Sequence, residues 1–102
     1  MNVVMHVSYP GHMAGKLVAL QNDPNLPKRP DYTKELGSVG FQDINGFQLY
    51  FIFEVPDGKL SEFLDANTKR QMFQATRVEG FHVEVQVGRN VAEGLKDLKS
   101  VM

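Results

Sequence analysis

The chain has 102 residues, of which 42% are hydrophobic and 23% charged, with a formal net charge of −1 and no cysteine. That length suits a single domain over residues 1–102 and is too short for two. Near-neutral charge leaves no electrostatic footprint for nucleic acid or an anionic membrane, and the missing cysteines exclude disulfides, thiolate metal sites and cysteine nucleophiles. The opening MNVVMHVSYPGH has no basic region followed by a long apolar stretch, so it does not read as a signal peptide. No apolar run reaches the roughly 20 residues of a membrane helix, and a cytoplasmic location without membrane partners is expected.

Asn2 to Tyr9 is rich in β-branched and apolar residues, stops at Pro10-Gly11 and reads as a first strand. His12 to Gln21 carries Met13, Leu17, Val18 and Leu20 among good helix formers and reads as a short helix. Asn22 to Asp31 holds Pro24, Pro27 and Pro30, which rule out regular helix or central strand, so an ordered surface loop is expected. Ser38 to Ile44 is a weak second strand. Asn45-Gly46 then signals a type I′ hairpin turn, whose two central positions need positive φ, and Phe47 to Val55 is a strong third strand.

Pro56-Asp57-Gly58 ends that strand and offers Asp57 as the N-cap of a second helix. Leu60, Phe63, Leu64, Met72 and Phe73 give this helix an apolar stripe to about Ala75, interrupted by Asn67. Gly80 to Val87 alternates cleanly, with Phe81, Val83, Val85 and Val87 on one side and His82, Glu84 and Gln86 on the other. Asn90 and Glu93 have capping-box spacing before a last helix striped by Val91, Leu95 and Leu98.

The order is βαββαβ plus a terminal helix, the ferredoxin-like or split βαβ pattern of the α+β class. It predicts a four-stranded antiparallel sheet with strands one and three central, strand four beside one, strand two beside three, and two helices on one face. Strand parity puts Val3, Met5, Val7, Tyr9, Phe47, Leu49, Phe51, Phe53 and Val55 under the helices. The opposite face carries His6, Ser8, Gln48, Tyr50, Ile52, His82, Glu84 and Gln86, too apolar for a fully solvated surface and too polar for a dry core. A second copy packed sheet to sheet accounts for such a mixture.

The chain resembles small bacterial and archaeal proteins of the dimeric α/β-barrel type. The resemblance is carried by Pro30, Asp31 and Tyr32 ahead of a glycine-containing strand, by Glu54 at a strand end, by Asp57 to Leu60 at a helix start, and by Gly80, Phe81 and Glu84 around the last strand. It implies a ferredoxin-like subunit and a homodimer formed sheet to sheet. It implies no activity. The wider superfamily includes cofactor-independent monooxygenases, muconolactone isomerase-like enzymes, chlorite dismutase-like haem proteins and plain ligand-binding modules, so membership does not separate catalysis from binding.

The candidate site is therefore the open face. His6 and His82 are the candidate catalytic bases, since an imidazole titrates near neutrality, and Ser8, Gln48, Tyr50 and Glu84 are candidate ligand-binding side chains. His6, His82 and Glu84 have admissible metal-ligand types but no spacing motif, and neither a metal nor any other cofactor is expected. His12, Lys69 and Arg70 read as solvated, and Lys28 and Arg29 as a small basic spot on an ordered surface connection. No phosphate-cradling glycine loop and no nucleophile elbow occur. The expected function is a homodimeric binding module for a small, partly apolar ligand held in a pocket on the sheet face. The alternative is a cofactor-independent isomerase or monooxygenase acting on a small organic acid or aromatic with a histidine base.

Overall fold

The computed structural model describes residues 1–89 together with Lys96 and Lys99. Strand β1 (Asn2–Tyr9) alternates buried and outward side chains along its length, as its sequence period requires. Pro10 then sits in extended backbone at φ −62° and ψ 145°, and a 3₁₀ turn over Gly11–Met13 leads into helix α1 (Ala14–Gln21). The proline-bearing segment returns the chain to strand β2 (Lys34–Asp43), which turns into β3 (Gly46–Glu54). Pro56 repeats the device of Pro10, with a 3₁₀ turn over Asp57–Lys59 ahead of helix α2 (Leu60–Ala75), and β4 (His82–Gly88) follows.

The sheet order is β2-β3-β1-β4 and every neighbouring pair is antiparallel. This is the α+β, βαββαβ arrangement expected from the sequence, with β1 and β3 central. Both helices lie on one face. Leu17 and Leu20 of α1 and Phe63 of α2 share a core with Val3, Met5, Val7, Tyr9, Phe53, Val55 and Val78. Phe63 and Val55 are wholly buried. Burying an aromatic and several β-branched side chains in one layer is the main force holding helices to sheet.

Several local expectations are corrected. Strand β2 begins at Lys34, earlier than Ser38, and absorbs an irregularity between Glu35 and Gly37. The hairpin turn is not type I′, because Asn45 does not take positive φ; only Gly46 does, at 114°. The turn is fixed instead by the Asp43 carboxylate, which accepts a 2.8 Å hydrogen bond from the Asn45 backbone N–H. Asp57 does not cap a helix; its carboxylate pairs with the Met1 ammonium at 2.9 Å. Met72 is exposed instead of joining the apolar stripe. Gly80 lies in the turn before β4 at φ 79°, and the strand starts at His82. The expected terminal helix, with Asn90, Glu93, Val91, Leu95 and Leu98, lies outside the described residues. Among the described residues no helix is long and apolar enough to cross a membrane.

Candidate functional site

On the open face, the register places Tyr50 and Glu84 directly opposite His6 on its two neighbouring strands, and Gln48 and His82 opposite Ser8. All six side chains chosen from the sequence therefore share one surface. They do not converge on one point. His6 stacks on Tyr50 with ring centroids 4.4 Å apart and planes 5° from parallel, and its Nε2 lies 2.7 Å from the Gln48 Oε1. Phe41 of β2 extends the stack, 6.1 Å from Tyr50. His82 pairs separately with Glu84, Nε2 to Oε1 at 3.3 Å, in the open. A hollow of about 130 Å³ lies among Val4, His6, Tyr50, Glu84 and Gln86. Among the described residues no three His, Asp or Glu side chains stand together as metal ligands.

The other face of the sheet holds a cavity of about 240 Å³, wedged between β1, β3, α1 and α2. Its walls are apolar at Met5, Val7, Leu17, Leu49, Phe51 and Phe81. Polar side chains enter at one side: Gln21, Arg29, Arg70, Gln71 and Gln74. A more open groove of about 300 Å³ runs between α2 and β4 past Asn67, Met72 and Val83.

The polar wall is a continuous relay. Arg70 donates from Nη2 to the Gln21 Oε1 at 3.0 Å, Gln21 donates to the Gln74 Oε1 at 2.9 Å, and Gln74 donates to the Gln71 Oε1 at 3.1 Å. Gln71 in turn donates to the Asn67 Oδ1 at 3.3 Å and to the Met5 sulfur at 3.2 Å. Asn67 and Gln74 are buried, and the relay explains why polar residues occupy the inner side of α2: each satisfies the next. A second donor of Arg70, Nη1, binds the Pro27 carbonyl at 2.9 Å and fastens the proline-bearing segment to α2.

That segment seats Arg29 over the rings of Phe51 and Phe53, with the guanidinium carbon 5.8 and 4.8 Å from their centroids. The 22–31 segment is thus an ordered connection, as expected, but it covers the helix side and not the open face. Arg70, expected in solvent, is instead half-buried in the cavity wall. Burial lowers the pKa of both guanidiniums; the Arg29 charge lowers that of Arg70 further, while Glu35 partly offsets the effect on Arg29. Burial also raises the Tyr9 phenol, whose side chain lines the same cavity.

The cavity residues were not among the sequence candidates. One signal was present: Asn67, Gln71 and Gln74 recur at helical spacing where α2 should be apolar. Lone arginines in a loop and on a helix carry no such signal, because only the fold brings Arg29 beside Arg70.

Compared with known proteins, the chain matches no family model, no curated protein and no solved structure.

Proposed function

We propose that the protein is a homodimeric binding module of the dimeric α/β-barrel kind, holding a small, partly apolar ligand between sheet and helices. Support for the ligand comes above all from the cavity of about 240 Å³, which joins apolar walls to a few polar groups entering from one side. Concave, mainly apolar sites with a few placed polar groups are the general form of small-molecule sites. The volume is below the usual range for drug-sized ligands, which points to a compact molecule.

Support for the dimer comes from the open face. Val4, Val39, Phe41, Tyr50 and Ile52 are all exposed there, and the register joins them into one patch across three strands. Contiguous apolar patches of this kind mark interaction surfaces. In this assembly His6, Ser8, Gln48, Tyr50, His82 and Glu84 line the covered face, and the His6–Gln48 and His82–Glu84 contacts already give each Nε2 a partner.

Sedimentation equilibrium at micromolar concentration should give twice the 11.5 kDa chain mass, and an 11.5 kDa species would contradict the dimer. Calorimetry with benzyl alcohol, a compact, partly apolar probe, should give saturable one-per-chain binding. Heats no larger than those of a Leu17→Trp variant, which fills the cavity, would contradict the ligand site.

A further inference from the structure

The polar end of the helix-side cavity contains more positive charge than the described residues neutralise. Arg29 and Arg70 both line it, and the Nε of each is buried without a hydrogen-bond partner. The ion pairs among the described residues are Met1 with Asp57, Lys59 with Glu62, and His82 with Glu84; none involves either arginine, and Glu35 acts on Arg29 only from beyond ion-pair distance. Arg70 spends two donors on the Pro27 carbonyl and the Gln21 amide oxygen, both neutral acceptors. Arg29 rests on two aromatic faces. Such partners orient a guanidinium, whereas its full charge is best matched by an oxyanion, which its planar fork of donors binds at short distance.

The geometry points to a small organic carboxylate as the ligand of this cavity, with its acid group between Arg29 and Arg70 and its hydrocarbon body among Val7, Leu17, Leu49 and Phe81. This rests on the ligand-binding reading above and adds the charge of the ligand to it. A carboxylate supplies a charged acceptor to the Nη groups of the two guanidiniums and relieves the repulsion between the two cations. The apolar walls favour an acid with an attached ring or short chain over a bare inorganic ion. The relay from Gln21 through Gln74 and Gln71 to Asn67 holds Arg70 in place, so the site is built before the ligand arrives.

Calorimetry on the full chain with benzoate and with benzyl alcohol, two probes of nearly the same shape, separates charge from fit. Benzoate should bind at least about tenfold more tightly, the scale of a charge-assisted hydrogen bond. Arg29→Gln and Arg70→Gln should each remove about tenfold or more of the benzoate affinity and change that for benzyl alcohol much less. Inorganic phosphate should compete only weakly, since it has no apolar body. Equal affinity for the two probes, or phosphate competing as well as benzoate, would overturn the carboxylate assignment while leaving the ligand site standing. Binding of neither probe would overturn both. The comparison of probes on the unaltered chain decides the matter even if a variant fails to fold.

Discussion

Gly46 and Tyr9 show how single residues tie the turn and the cavity to the sheet. A Cβ at position 46 would collide with the Tyr9 carbonyl oxygen, and the residue's φ of 114° disfavours any L side chain. Gly46→Ala should therefore lower stability by about 1–3 kcal/mol, read as a lower urea midpoint at unchanged slope. Tyr9 makes a pH-dependent contribution. Its phenol pKa is raised on folding by burial, so the neutral ring's contribution is complete below the ordinary tyrosine value of 10.0. It is lost as pH climbs through the raised folded value, because the unfolded chain then ionises first. Unfolding midpoints measured across the alkaline range should fall more steeply for the native chain than for Tyr9→Phe. Parallel curves would remove Tyr9 from the list of groups that titrate on unfolding.

At the level of elements, α2 carries two kinds of inner contact, apolar and relayed. Phe63 is wholly buried against Phe53, with ring centroids 6.1 Å apart, and Phe63→Ala should cost about 3–5 kcal/mol. Gln74→Ala strands a Gln21 donor and a Gln71 acceptor, and should cost about 1–3 kcal/mol. The double variant Gln21→Ala/Gln74→Ala should cost less than the two single changes together, because each single change leaves the other partner unsatisfied. Additive losses in a thermal-unfolding cycle would show that the two amides act independently.

The same elements show which parts of the architecture the sequence can express. Strands β1, β3 and β4 were legible because each has one face under the helices and so repeats with a period of two. The start of β2 was not, since nearly all its residues are exposed on both faces and the ladder is irregular at Glu35 and Gly37. The shared face of His6, Ser8, Gln48, Tyr50, His82 and Glu84 followed from parity alone. The polar relay and the arginine pair did not, because they join residues 49 and 41 positions apart in sequence (Gln21 with Arg70, Arg29 with Arg70), and no local period records such a meeting.

For the whole molecule, the sheet divides two surfaces: an apolar-studded open face, which we propose meets a second copy, and a helix-covered face that holds the cavity. Ile52→Asp and Val39→Asp place charge within the exposed patch and should give folded monomers, seen as halved mass in sedimentation with an unchanged far-ultraviolet spectrum. The most direct test of the central claim, that a small ligand lodges between sheet and helices, is a methyl-labelled NMR titration with benzyl alcohol. Saturable shifts confined to Val7, Leu17, Val18 and Leu49 are the expected result. Shifts centred instead on Val4, Val39 and Ile52, with the cavity methyls unmoved, would place the ligand on the open face and contradict it.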